Sequence, residues 1–138
     1  MTTPPSPASG PPRPSRLVRT PTGIEIPIHP EWEVHPAQVK ECLDKKAEML
    51  LLDVRQQREW DFARIAGAML LPMGQLQGRA EAELAAWKKK PIVVYCHVGA
   101  RSLNAAAFLR QHGFEDVKSL AGGIEGWSLM VDPAVPRY

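Results

Sequence analysis

The chain has 138 residues, 17 Lys and Arg against 15 Asp and Glu, and a formal net charge of +2. That length fits one domain with a modest core, and the near-neutral balance gives no electrostatic case for binding nucleic acid or a membrane surface. The two cysteines, Cys42 and Cys96, make no disulfide framework and suit a reducing, cytoplasmic setting; the start is rich in proline where a signal peptide would be apolar, and no stretch is long and apolar enough to span a bilayer.

Residues 1–30 carry nine of the fourteen prolines, with Arg13, Arg16 and Arg19 against Glu25. They read as a Pro-rich flexible N-terminal arm, with a domain at 31–138, because such a composition buries too little apolar surface to offset its ordering entropy. A plain leader is preferred to a polyproline docking ligand. Ile24, Ile26 and Ile28 alternate and suggest an edge strand, which Pro27 and Pro30 bar from a central position. The fold itself is expected to begin at Trp32 to Val34. Pro36 suits a first helical position, after which Val39, Cys42 and Leu43 share one face. Cys42 is therefore expected in the core, in preference to serving as a resolving thiol for Cys96.

Met49 to Leu52 is a continuous apolar run, the pattern of a central parallel strand. Asp53 and Arg55 follow at its C-terminal end, where ligands bind in open α/β sheets; the plainer alternative is that Asp53 caps the next turn. Glu59-Trp60 opens a helical turn, with Trp60 as packing. Ile65 to Pro72 reads as loop, then strand, with Pro72 as a stop. Gly78 to Trp87 reads as a helix. Lys88-Lys89-Lys90 complements its dipole and is read as a solvated cap in preference to a nucleic-acid site.

Ile92 to Tyr95 is a short β-branched run, a buried strand. From Ser102 a helix is expected, with Leu103, Ala106, Ala107 and the stem of Arg110 on its inner face. Between them lies a tight loop, Cys96 to Arg101, with Gly99 in its middle. N–H groups of such a loop converge with those of the helix start into an anion-binding nest. A nest of this kind favours thiolate over thiol and so points to nucleophilic sulfur chemistry at Cys96. Gly113 is placed to close the helix. Val117 to Leu120 is the last strand, and Gly122-Gly123 leads into a short helix with Trp127. The β–α alternation argues for an α/β fold, an open parallel sheet with helices on both faces.

The segment Cys96-His-Val-Gly-Ala-Arg-Ser102, together with Leu51-Leu-Asp-Val-Arg55, Ile65-Ala-Gly-Ala-Met-Leu-Leu-Pro72 and Ala121-Gly-Gly-Ile-Glu-Gly-Trp127, resembles the rhodanese (sulfurtransferase) family in order and spacing, over residues from about 32 to 138. The ending Val131 to Tyr138 is similar to the tails of bacterial single-domain members. The chain departs from the family at Arg64 and Ala66, where members usually carry His and Pro. The resemblance implies about five strands. It implies that Cys96 is the catalytic nucleophile and carries a persulfide, and that His97, Val98, Gly99, Ala100, Arg101 and Ser102 bind the substrate. It also implies that Asp53 and Arg55 support the floor, Asp53 through Arg101 or the loop amides. No organic cofactor is expected, and the scattered histidines suggest no metal. The expected partners are a small sulfur donor, thiosulfate or a persulfide, and a thiol or protein acceptor. Four residues separate Cys96 from Arg101, one fewer than in cysteine-dependent phosphatases, which disfavours a phosphatase or arsenate reductase. A non-catalytic interaction module is the alternative from another class.

Overall fold

The computed structural model describes residues 16–19 and 25–138. Most of the expected flexible arm lies outside them. Its described parts are two strands, β1 (Arg16–Arg19) and β2 (Glu25–Ile28), which pair antiparallel as a separate small sheet. Residues 25–28 thus form a strand, as the alternating isoleucines suggested, but its partner is β1.

The main sheet has five parallel strands in the order β3–β7–β6–β4–β5: β3 (Glu33–Val34), β4 (Leu50–Asp53), β5 (Met69–Leu70), β6 (Ile92–Tyr95) and β7 (Val117–Leu120). Between and after them run α1 (Pro36–Asp44), α2 (Gln57–Phe62), α3 (Met73–Leu84), a 3-10 turn (Ala85–Trp87), α4 (Ala100–Gln111) and α5 (Gly123–Met130). Successive strand residues face opposite ways, so one run of apolar residues feeds two cores. Leu52 and Val94 pack with Leu76, Ala80 and Leu84 of α3 and with Ala105, Ala106 and Leu109 of α4. Leu51, Val93 and Tyr95 pack on the other side with Val39 of α1 and Ile124 and Trp127 of α5. Full burial of each large apolar side chain stabilises the fold by roughly 1.5–3 kcal/mol. No helix among the described residues is long and apolar enough to cross a membrane.

Three local expectations need correction. The helix expected from Gly78 begins at Met73. Its buried stripe, Leu76, Ala80 and Leu84, recurs every four residues, while Gly74 and Gly78 lie on the exposed side and weaken the helical signal there. Pro72 lies beyond the end of β5 and is also the N-cap of this helix. Cys42 is only half-buried, because α1 turns Pro36 and Val39 inward instead. Finally, α4 starts at Ala100, since Gly99 takes the left-handed conformation (φ 116°) that lets the chain turn directly into the helix.

The sheet and α5 together place the β6–α4 loop. The first amides of α5 are spent on it: Ile124 N–H donates to the Cys96 carbonyl (2.9 Å) and Glu125 N–H to the His97 carbonyl (3.0 Å). This contact needs Gly123, which has φ 60° and whose missing Cβ would fall 2.4 Å from the His97 carbonyl oxygen and 2.6 Å from that of Cys96. Gly123→Ala is expected to destabilise the fold by at least about 2 kcal/mol, from left-handed strain plus the clash. Urea unfolding measures that loss, and a changed rate of Cys96 alkylation reports the displaced loop.

Candidate active site

Cys96 follows the last residue of β6 and lies on the floor of the loop, 1% exposed. Its sulfur accepts from Gly99 N–H at 3.1 Å and Ser102 N–H at 3.4 Å, and lies 3.3 Å from the Ser102 hydroxyl oxygen. Ser102 also reaches the Gly99 carbonyl (3.2 Å) and the Ser119 hydroxyl of β7 (2.7 Å). The N–H groups of Ala100 and Arg101, in the first turn of α4, have no intrahelical acceptor. The expected nest is therefore present, with two amides directed at one sulfur and the Ser102 hydroxyl within reach of it. His97 is half-buried beside it, Gly99 is buried, and Val98 and Ala100 form the exposed rim, Val98 being 59% exposed.

Asp53 and Arg55 lie under this loop, both fully buried, and they bind each other. Arg55 donates from Nε and Nη2 to the two Asp53 oxygens at 3.0 and 2.6 Å, and its backbone N–H adds a bond of 2.9 Å. Two residues apart at the end of β4, they meet within one turn of chain, which leaves Asp53 no reason to reach Arg101. The expected Asp53–Arg101 link is thus corrected. Arg101 pairs with Glu59 of α2, Nη1 to Oε1 at 2.9 Å and Nη2 to Oε2 at 3.0 Å. Arg55 further donates to the Ala63 carbonyl (2.6 Å) and to the Tyr138 hydroxyl (2.8 Å). Burial works against its charge, but its hydrogen bonds to Asp53 and Tyr138 outweigh that and hold it protonated. Burial and the Asp53 charge push the Tyr95 phenol up; its hydroxyl accepts from Ile65 N–H.

Three residues of the site carried no functional reading in the sequence: Glu59, Tyr138 and Ser119. Tyr138 donates its hydroxyl to Glu59 Oε2 (2.6 Å) and lies flat on the His97 ring, centroids 4.0 Å apart and planes at 11°. The tail reaches this place because Ser128 of α5 holds the Val135 carbonyl (2.7 Å). Phe62 meets the Tyr138 ring edge-on at 5.8 Å. Glu125 pairs with Arg137 and lies 3.8 Å from His97 Nε2. The Arg101 hydrogen bonds hold the Glu59 carboxyl down at about 2 against burial, with Tyr138 and the Gln56 N–H assisting. The one sequence signal for Glu59 was local: it also closes a capping box with Gln56 at the start of α2.

A family model described as the rhodanese-like domain matches residues 35–130. A probable adenylyltransferase/sulfurtransferase of Mycobacterium tuberculosis is 34% identical over 106 residues, which cover 76% of this chain and 26% of that protein. This chain therefore spans about a quarter of that relative's length. A thiosulfate sulfurtransferase of Coxiella burnetii is 41% identical over 85 residues, 62% of this chain and 77% of the relative. Among solved structures, the rhodanese-like domain of an Anabaena protein is similar with a TM-score of 0.66 and 30% identity, covering 72% of this chain and 74% of that one.

Two outcomes follow from the charge pairs. Arg55→Leu leaves Asp53 buried without its counter-ion and is expected to cost about 3–5 kcal/mol, whereas the double change Asp53→Leu with Arg55→Leu costs less; paired urea melts measure both. The Glu59 carboxyl is depressed in the fold to about 2, below an unfolded value near 4.3. Its contribution to stability is therefore complete above the unfolded value and is lost as pH falls through the folded one. Urea midpoints between pH 5 and 2 should fall less steeply in Glu59→Gln than in the native chain.

Proposed function

We propose that this chain, which belongs to the rhodanese-like domain family, is a sulfurtransferase that carries sulfur as a persulfide on Cys96. The observation that carries this reading is the convergence of the Gly99 and Ser102 amides on one cysteine sulfur, with the Ser102 hydroxyl oxygen 3.3 Å from it. These donors favour the ionised sulfur, the form that attacks. The Cys96 thiolate attacks the outer sulfur of thiosulfate or of a persulfide. A new S–S bond forms, the donor S–S bond breaks, and its electron pair leaves on sulfite or on a thiolate. The free amides of Ala100 and Arg101 face the charge carried by the transferred sulfur. A thiol or protein thiolate then takes that sulfur and restores Cys96. Relatives named as sulfurtransferases support the reading. Residues 31–138 form the working unit in this proposal, with 1–30 as an arm outside it and the cytoplasm as its place of action.

The phosphatase alternative is disfavoured on a second ground besides loop length. Both terminal nitrogens of Arg101 are engaged by Glu59, so the charge the loop would offer a tetrahedral phosphate is already matched by a carboxylate. The non-catalytic alternative leaves the two amides on the sulfur without a purpose.

Mass spectrometry after exposure to thiosulfate or an alkyl persulfide is the direct test. A gain of about 32 Da on Cys96, absent in Cys96→Ser, is expected. A folded protein whose Cys96 takes sulfur from neither donor would leave the interaction-module reading. Cys96-dependent turnover of an aryl phosphate would restore the phosphatase.

A further inference from the structure

Among the described residues, the arginines at the mouth and on the floor of the site are paired with carboxylates. Arg101 is bound at both terminal nitrogens by Glu59, Arg137 by Glu125, and Arg55 by Asp53. His97, the remaining basic side chain of the loop, is stacked under Tyr138 and faces Glu125. What the loop offers a ligand is therefore a set of N–H dipoles around one sulfur, with no unpaired positive charge for a second anionic group. The rim beside it is apolar or aromatic: Val98 is 59% exposed, Phe62 56% and Tyr138 44%.

We propose that Glu59, fixed in place by Tyr138, is a specificity-determining residue of the Cys96 site: by taking up the charge of Arg101 it turns the site toward carbon-bound persulfides, R–S–SH, and away from donors that carry a second negative charge. The inference rests on the sulfur-transfer reading above. Glu59 is well placed to hold this post. Its Oε2 receives both Arg101 Nη2 and the Tyr138 hydroxyl, and its Oε1 receives Arg101 Nη1 and the Gln56 N–H at 3.1 Å. Tyr138 is itself held by the Arg55 guanidinium and by the face of His97. The clasp thus joins the second residue of the loop, His97, to the sixth, Arg101, through one carboxylate.

The two donors make different demands. With R–S–SH, the Cys96 thiolate forms a bond to the outer sulfur, the old S–S bond breaks, its electron pair leaves as R–S⁻, and the proton stays with the transferred sulfur. One negative charge is present throughout, and the carbon stem can lie on Val98 and Tyr138. With thiosulfate, the same displacement releases sulfite and leaves an ionised persulfide. The donor sulfonate must approach through the mouth, where the nearest guanidinium is already neutralised by Glu59. Exposed single charges change such encounters modestly, so the effect is graded rather than absolute.

The experiment measures the rate at which thiosulfate and an alkyl persulfide with an uncharged stem each load Cys96, by intact mass, in the native chain, in Glu59→Gln and in Tyr138→Phe. Glu59→Gln keeps one acceptor oxygen toward Arg101 and removes the charge. It is expected to raise the ratio of thiosulfate loading to persulfide loading by roughly two- to fivefold. Tyr138→Phe keeps the stack on His97 and shifts the ratio the same way by less; should Glu59→Gln not fold, this ratio decides alone. A purely structural role would change both rates together, and that result, or a ratio unmoved in the variants that fold, overturns the inference while sulfur transfer stands. A folded native chain loaded by neither donor removes the sulfur-transfer reading and the inference with it.

Discussion

In a trans peptide the carbonyl and the N–H point in opposite directions, and the site depends on that constraint. The first free amides of α5 take the carbonyls of Cys96 and His97. The N–H groups of His97 and Val98, which share those peptide planes, are thereby turned the other way. One helix terminus thus sets the direction of two amides in the neighbouring loop. Gly123 makes the approach possible, because any Cβ there would overlap the same two carbonyls. The paired glycines and the cysteine loop, more than twenty residues apart in the chain, are two halves of one contact.

Beneath the loop, the charged residues position more than they stabilise. Taking Asp53 and Arg55 fully out of water is costly, and an apolar pair of similar volume would often serve stability as well. What the pair provides is a rigid guanidinium whose remaining donors are aimed. One fixes the Ala63 carbonyl after α2, and another fixes the Tyr138 hydroxyl at the end of the tail. From there the chain of contacts runs through Glu59 to Arg101 and through the Tyr138 ring to His97. The outer wall of the site is set by a residue buried on its floor.

The features that showed in the sequence are those encoded by neighbours in the chain. The apolar runs Met49 to Leu52 and Ile92 to Tyr95 mark the strands β4 and β6, and Gly99 and the pair Gly122-Gly123 lie where the chain enters α4 and α5. Their physics is local, so pattern and spacing carry it. The side-chain pairings were not readable. Glu59 and Arg101 are 42 residues apart, and Tyr138 and Arg55 are 83 apart. No periodicity connects such positions, and the Asp53 partner, Arg55, lies two residues away, too close to stand out as a pair. Ser119 was hidden differently: one hydroxyl in an apolar strand is unremarkable until β7 brings it beside Ser102. The sequence pattern places the start of α3 five residues late because glycines on its outer face mask a regular inner stripe.

The serine pair also bears on how the floor meets a change of charge. Ser102 has one hydroxyl proton and two acceptors in reach, the Gly99 carbonyl and the Cys96 sulfur, while Ser119 stands ready to donate to the Ser102 oxygen. With a neutral thiol, the Ser102 proton is best placed on the carbonyl. Once the sulfur ionises, a rotation of that one hydroxyl adds a third donor to the two amides, and no heavy atom has to move. The Ser119 hydroxyl increases the acidity of the Ser102 proton through cooperative polarisation, strengthening the bond when the sulfur is charged. A site that must hold first a thiolate and then a longer, ionised disulfur chain is served by donors that can be redirected at so little reorganisation.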